Sequence, residues 1–130
     1  MSVTLDHTVV HARDKHRSAL FLATILGVEV GAPFGPFVPL DLANRVTLDF
    51  YEDPELTLVP QHFAFLVPEG DFDTMIARLE AAGVTYFADP HHTEAGRVNH
   101  LFGGRGAYFA DPDGHNMEII THRYTRPAAG

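Results

Sequence analysis

The feature of this sequence that most constrains its fold is an internal repeat. A β-prone run opened by His7 leads into a helical pattern that Gly27 ends, and a second run opened by His62 leads into a helical pattern that Gly83 ends. Twenty positions separate the first two residues and twenty-one separate the second two. Each glycine is followed by a valine and another β-prone run. Because repeats of one supersecondary unit stack on each other, this pattern predicts two pseudo-symmetric halves with a site between them.

Hydrophobic periodicity predicts that each half consists of one strand, one helix and three further strands. The opening strand of the first half, residues 3–11, places His7 on its apolar, inward face. The helix that follows begins after Asp14, a typical N-cap residue, and ends at Gly27. In the second half the opening strand is residues 61–67 and Asp71 is the predicted N-cap of the helix. The remaining predicted strands are residues 28–30, 37–42 and 46–51 in the first half, and 84–87, 107–110 and 117–120 in the second.

Composition restricts the class of protein and its partners. At 130 residues, with 45% hydrophobic residues, the chain has the size of one α+β domain. A formal net charge of −8 argues against nucleic acid and anionic membranes as partners, because both require basic patches. The sequence has no apolar run as long as a membrane span, no signal-peptide pattern at its start and no cysteine. We therefore expect a cytoplasmic location.

The closing stretch of the second half, residues 107–120, predicts a strand, a tight turn and a second strand. The turn is the Asp-Pro-Asp-Gly segment at residues 111–114, in which proline presets φ and glycine accepts a positive φ. The second strand is apolar except for Glu118. Burying a carboxylate is costly unless it has a counter-charge, and a metal ion is one such partner.

The repeat supplies three further side chains that bind metals. His7 and His62 open the two halves, while Asp49 and Glu118 lie in their last strands. His7, His62 and Glu118 form the two-histidine, one-carboxylate set associated with non-haem Fe(II). Asp49 as a fourth ligand would suit a Lewis-acid metal such as Ni, Co, Mn or Zn. The alternative is structural: each histidine hydrogen-bonded in the core, and the carboxylate paired with an arginine.

With these residues the chain resembles the vicinal oxygen chelate superfamily, which includes glyoxalase I, fosfomycin-resistance proteins, bleomycin-resistance proteins and type I extradiol dioxygenases. The resemblance covers nearly all of residues 1–130 and implies one domain of two βαβββ modules, about residues 1–53 and 60–122, with a tail at 123–130. It further implies an open barrel around a metal bound by His7, His62 and Glu118. Single-pair members are commonly homodimers, so His7 is expected from one chain and His62 with Glu118 from the other.

The same segment resembles the signature of extradiol dioxygenases. His100 is followed by six residues, then Ala107, Tyr108, the turn at residues 111–114 and, after three further residues, Glu118. Only Ala107 departs from the pattern. The resemblance implies an Fe(II)-dependent, ring-cleaving dioxygenase of a catechol-like compound, in which His100 and Tyr108 hydrogen-bond the small-molecule substrate or bound oxygen. The alternative is that Tyr108 packs within its strand and His100 is exposed.

Other members of the superfamily offer rival functions. Asp49 matches the strand in which glyoxalase I places a second carboxylate, which favours a lyase or isomerase. Fosfomycin-type thiol transfer is less favoured, because Val9 stands where those enzymes have threonine and the second half has no lysine. A drug-binding protein of the bleomycin-resistance type needs no metal, so an intact ligand set counts against it.

Overall fold

The computed structural model describes residues 2–52, 54–55 and 57–128. The chain separates into two compact units. Unit 1 comprises the chain up to Pro60 together with Asp111–Asp113, and unit 2 comprises Gln61–Ala110 and the chain from Gly114 onward. No helix in the described part of the chain has the length and apolar character needed to cross a bilayer. The cytoplasmic location stays a prediction, and part of the predicted tail, residues 129–130, lies outside the described residues.

Unit 1 consists of a three-stranded sheet and one helix. Its elements are β1 (His7–His11), α1 (Lys15–Leu26), β2 (Val38–Asp41) and β3 (Thr47–Tyr51). The strand order is β1-β3-β2, with β1 parallel and β2 antiparallel to β3. As predicted, Asp14 caps α1 by accepting a hydrogen bond from the Arg17 N–H, and Gly27 ends the helix in the left-handed conformation with φ of 73°.

One face of this sheet forms the core of unit 1. Val10, Leu40 and Phe50 are fully buried, as are the α1 residues Leu22 and Ile25. Strand residues alternate between faces, so the opposite face of β1 carries its first, third and fifth residues. That face is the one predicted to be inward, but in this chain its histidine and valine positions are exposed. The predicted side was wrong because α1 covers the other one.

Unit 2 repeats this arrangement. Its elements are β4 (His62–Leu66), α2 (Glu69–Ala81), β5 (Gly106–Ala110) and β6 (Asn116–Ile120), with a short 3₁₀ turn at Leu101–Gly103 before β5. The order is β4-β6-β5, with β4 parallel and β5 antiparallel to β6. The sheet face toward α2 is apolar, and its buried residues are Phe65, Phe109, Met117 and Ile119. The buried residues of α2 are Phe72, Met75 and Leu79.

The two sheets share one pairing register, which confirms the repeat at the level of topology. In unit 1 the residue two positions after His7 pairs with Asp49 on the neighbouring parallel strand. In unit 2 the residue two positions after His62 pairs with Glu118 in the same way. Each sheet therefore carries a histidine and a carboxylate at equivalent places on the face away from its helix.

The fourth strand predicted for each half does not form in the described residues. Residues 28–30 lie beside β2, but only the Gly31 N–H, just beyond them, donates to the Pro39 carbonyl, at 2.9 Å. Within residues 84–87, only Phe87 pairs, in isolated bridges to Ala95 and Tyr108. A valine-rich triplet predicts extended backbone, but a strand also needs a continuous row of partners.

Two predicted boundaries differ from the structure by more than one residue. β1 begins at His7 rather than at residue 3. α2 begins at Glu69 rather than after Asp71, and Pro68 occupies the N-cap position without a side-chain cap. A proline is tolerated at the start of a helix for two reasons. Its fixed φ, here −59°, is close to the helical value, and the N–H that it lacks would have no acceptor within the helix. β2 also contains Pro39, and it tolerates proline because it is the edge strand.

Candidate metal centre

Glu118 lies in the middle of the central strand of the unit 2 sheet. Its backbone partners are Ala64 on β4 and Tyr108 on β5. The flanking residues Met117 and Ile119 are fully buried on the helix side, so the carboxylate lies on the opposite face. Glu118 is nevertheless only 1% exposed. The prediction of a buried carboxylate in this strand is confirmed.

His62, at the start of β4, directs one ring nitrogen at this carboxylate. Its Nδ1 lies 2.9 Å from the backbone carbonyl oxygen of Asn116 and donates a proton to it, because a carbonyl can only accept. In the neutral ring, Nε2 then carries the lone pair, and it lies 3.2 Å from Glu118 Oε1. A backbone carbonyl on the remote nitrogen is the usual support of a metal-binding histidine, because it sets both tautomer and ring orientation.

The remaining contacts of Glu118 test whether these residues fit a metal. Oε1 is buried without a hydrogen-bond donor, while Oε2 accepts a hydrogen bond from the Tyr124 hydroxyl. Oε1 therefore faces a nitrogen lone pair at a distance that only a shared proton or a cation makes favourable. An imidazole nitrogen and a carboxylate oxygen are ligands for divalent transition metals. The donor set and the unpaired oxygen both fit such an ion.

Unit 1 holds the other two predicted ligands. His7 Nδ1 lies 2.7 Å from Asp6 Oδ2, and this hydrogen bond is the main reason that the pKa of His7 is raised. Electrostatic attraction to Asp49 also raises that pKa. Asp49 is buried in the central strand, and His7 is exposed with its Nε2 left for another partner. Asp6 thus supports His7 as a carboxylate supports a metal-binding histidine.

The structure brings one pair of the predicted ligands into contact, His62 with Glu118 in unit 2. In unit 1, His7 and Asp49 lie on the same face of the sheet, on the adjacent strands β1 and β3. Within residues 2–52, 54–55 and 57–128, no three histidine or carboxylate side chains form a group that could hold a metal ion. The full set of His7, His62, Glu118 and Asp49 stays a prediction.

Of the two predicted catalytic residues, Tyr108 lies beside Glu118. It is buried on β5, its ring centroid is 6.1 Å from that of His62, and its hydroxyl is 3.1 Å from that of Tyr124. Burial, followed by hydrogen bonding to Tyr124, raises the pKa of Tyr108, so the phenol keeps its proton. His100 is exposed just before the 3₁₀ turn, and nothing in the described residues joins it to Tyr108 or Glu118.

Sequence reasoning missed two side chains near this centre. Tyr124 lies in the segment predicted to be a frayed tail, yet it is half-buried and bonded to Glu118. His92, in the segment between α2 and β5, stacks on Phe87 with ring centroids 4.4 Å apart, and its Nε2 is 2.8 Å from Asn116 Oδ1. The only sequence signal for either residue is an aromatic side chain in a polar segment, and this signal does not indicate which residue the side chain contacts.

Comparison with known proteins identifies the family. A model of the Glyoxalase/Bleomycin resistance protein/Dioxygenase superfamily matches residues 4–119. The chain belongs to this superfamily. The predicted resemblance is therefore confirmed, and the two three-stranded sheets agree with a glyoxalase-type fold.

Three relatives at 30% identity or more carry two different activities in their names. The solved structures of oxidase ChaP-H2 and oxidase ChaP-H1 are 54% and 46% identical to this chain, with TM-scores of 0.91 and 0.90. The matches cover 95% and 94% of this chain and 97% and 98% of those chains. Glutathione transferase FosA of Serratia marcescens is 30% identical over 124 residues, 92% of this chain and 81% of that protein.

A more distant structure shows a metal within the same fold. A mutant of the fosfomycin resistance protein FosX from Listeria monocytogenes is complexed with Mn(II). It is 22% identical to this chain, has a TM-score of 0.68, and the match covers 95% of this chain and 93% of that one. At this identity the comparison supports the fold alone.

Proposed function

We propose that this protein is a metal-dependent, oxygen-activating enzyme that acts on a small substrate with two vicinal oxygens. The specific reaction proposed is extradiol-type ring cleavage of a catechol-like compound. The observation that carries the proposal is the arrangement at Glu118. A buried carboxylate oxygen without a hydrogen-bond donor lies 3.2 Å from His62 Nε2, and the neutral phenol of Tyr108 lies on the adjacent strand.

The proposed ligands are His7, His62 and Glu118, with Asp49 as a fourth. When bound, a divalent metal, with Fe(II) favoured, supplies coordination of the vicinal oxygens and activation of dioxygen. Ni, Co, Mn and Zn are the alternatives. The protein's part is to present histidines in the tautomer with Nε2 free, which Asn116 does for His62 through its carbonyl.

Tyr108 is the proposed proton-handling residue. Because its pKa is raised, Tyr108 is a neutral phenol, and its proton would move from the hydrogen bond with Tyr124 to a substrate oxygen. His100 is proposed as a second acid–base group. It is exposed on the segment before β5, so its action requires a substrate that reaches this segment.

The comparisons favour oxygen chemistry over thiol transfer. Two relatives named as oxidases share 46–54% of residues with this chain, against 30% for the glutathione transferase FosA. The sequence agrees, because Val9 replaces the threonine expected of a fosfomycin-type enzyme and Lys15 is its only lysine.

We also propose that the site is completed in a homodimer, with an open barrel in which His7 of one protomer joins His62 and Glu118 of the other. Apolar side chains on the uncovered parts of both units support this arrangement. Val3 and Leu5 are 85% and 64% exposed, and Leu66, on the same face of β4 as His62, is 54% exposed. Each unit thus exposes large apolar side chains of the kind that an interface buries.

The decisive experiment is metal analysis followed by turnover. Protein purified anaerobically and reconstituted with Fe(II) should consume oxygen and form a yellow ring-opened product with a catechol. Glu118→Gln should lose the metal, whereas Glu80→Gln, at an exposed glutamate that accepts a hydrogen bond from Tyr86, should retain it. Unchanged metal occupancy in Glu118→Gln would refute the ligand assignment.

The rival functions give different results in the same preparation. Tight Ni or Zn occupancy without turnover of a broad catechol panel would overturn the dioxygenase proposal. Loss of a hemithioacetal signal with Ni or Co would indicate a glyoxalase-type lyase. Absence of metal together with protection against melting by a drug would indicate a binding protein.

A further inference from the structure

The C-terminal segment, residues 121–128, lies against the proposed ligand Glu118. It leaves the sheet through paired hydrogen bonds at 2.8 and 2.9 Å between Arg105 and Thr121. Three residues later the Tyr124 hydroxyl donates to Glu118 Oε2. The Tyr124 ring packs on Phe102, with centroids 4.5 Å apart and an interplanar angle of 31°. The phenol is therefore held from two sides, by its ring and by its hydroxyl.

The direction of the hydrogen bonds follows from counting protons. A phenol has one proton, and an ionised carboxylate only accepts, so the Tyr124 proton is committed to Glu118. The 3.1 Å contact between the two phenol oxygens is then a bond donated by Tyr108 to Tyr124. The chain of donors runs from Tyr108 through Tyr124 to Glu118.

The hydrogen bond from Tyr124 gives the two oxygens of the Glu118 carboxylate different surroundings. Oε2 is occupied by the Tyr124 hydroxyl, while Oε1 faces His62 Nε2 at 3.2 Å with no hydrogen-bond donor. A carboxylate rotates about its last bond unless something holds it, because that torsion is broad and two-fold. We propose that Tyr124 is a positioning residue that fixes the Glu118 carboxylate so that Oε1 alone is presented to a metal. This inference rests on the proposed metal site and adds to it a residue outside the predicted ligand set.

The competing account is that Tyr124 only anchors the C-terminal segment. An anchoring role is served mainly by the aromatic ring, whereas a positioning role is served by the hydroxyl. The variant Tyr124→Phe separates the two, since it keeps the contact with Phe102 and removes the hydroxyl that donates to Glu118 and accepts from Tyr108. Tyr86→Phe is the matched control, because its hydroxyl also donates to a glutamate, but to the exposed Glu80.

The experiment measures the dissociation constant of Zn(II) for each full-length variant by competition with a chelator, alongside turnover with Fe(II). Residues that orient metal ligands typically change metal affinity 10- to 100-fold when altered. We expect Zn(II) binding about 10-fold weaker in Tyr124→Phe and unchanged in Tyr86→Phe. Tyr108→Phe should lose turnover and keep Zn(II) affinity within about three-fold, because the bond from Tyr124 to Glu118 remains.

The outcomes separate this inference from the proposed function. Zn(II) affinity in Tyr124→Phe equal to the parent, with Glu118→Gln still losing the metal, overturns the role of Tyr124 and leaves the site intact. If the parent binds no metal, the proposed function and this inference both fail.

Discussion

The Asp-Pro-Asp-Gly turn is predicted to stabilise the fold through one buried carboxylate, Asp113. Asp113 Oδ2 accepts a hydrogen bond of 2.8 Å from the Ser18 hydroxyl, and Oδ1 accepts bonds from the Arg13 N–H and guanidinium at 3.1 and 3.3 Å. The side chain of Asp113 is 4% exposed and Ser18 is 1% exposed. The substitution Asp113→Ala leaves the Ser18 hydroxyl buried without this acceptor.

The magnitude follows from what each lost partner does next. The Arg13 side chain is 71% exposed, so its guanidinium returns to water and its ion pair contributes about 0–1 kcal/mol. An unsatisfied buried hydroxyl costs about 1–3 kcal/mol, and loss of the hydrogen bond from the Arg13 backbone N–H to the carboxylate adds about 1 kcal/mol. We expect Asp113→Ala to lower the free energy of unfolding by about 2–5 kcal/mol. For a chain of this length that corresponds to a fall in Tm of about 7–18 °C.

A double-mutant cycle with Ser18→Ala isolates the central bond. Once Ser18 is also replaced, no orphaned hydroxyl remains, so the double variant should be less destabilised than the sum of the single variants by about 1–2 kcal/mol. Urea unfolding of all four proteins measures this. The control is Asp41→Ala, which removes an equally short bond of 2.7 Å from Thr47 at an exposed site and should cost less than about 1 kcal/mol. Additive effects, or an Asp113→Ala cost equal to that of the control, would refute the reasoning.

Three further substitutions test unit 2. His92→Ala removes the hydrogen bond to the Asn116 side chain, so it should loosen the Asn116 carbonyl that orients His62. We expect Zn(II) binding roughly three-fold weaker, a smaller effect than the loss of a residue that bonds a ligand directly. Unchanged affinity in chelator competition would contradict this. Gly104→Ala would place a Cβ 2.7 Å from the His122 side chain and should cost about 1–3 kcal/mol in urea unfolding. Gly70→Ala meets nothing within 4 Å on α2 and should be neutral or stabilising by up to about 1 kcal/mol.

The repeat and the buried carboxylate could be predicted because both produce patterns among residues that are close together in the sequence. A histidine before a β-prone run and a glycine after a helical pattern recur at nearly equal spacing, and these positions became β1, β4 and the ends of the two helices. Glu118 interrupts an apolar run, and the apolar residues on both sides of it predict that the strand is buried. Patterns with period two and 3.6 carry this information without any knowledge of tertiary contacts.

The misplaced features depend on partners distant in sequence. Periodicity identifies two faces of β1 but not which face the helix covers, so His7 was predicted inward and is exposed. Residues 28–30 read as a strand, but whether they form one depends on β2 beside them. Tyr124 is a single aromatic residue in a polar segment, and only the fold shows that it contacts Glu118. Contacts of this kind leave no periodic trace in the sequence.

The repeat also explains why the two halves of the proposed site differ chemically. Asp49 and Glu118 occupy the same register position, but their antiparallel partners are Pro39 and Tyr108. Proline offers no hydrogen-bond donor, whereas tyrosine offers a hydroxyl, and Tyr124 adds a second one beside Glu118. Glutamate is also longer by one methylene, so it reaches further from its strand. We therefore expect proton transfer to occur on the Glu118 side, while Asp49 contributes charge alone.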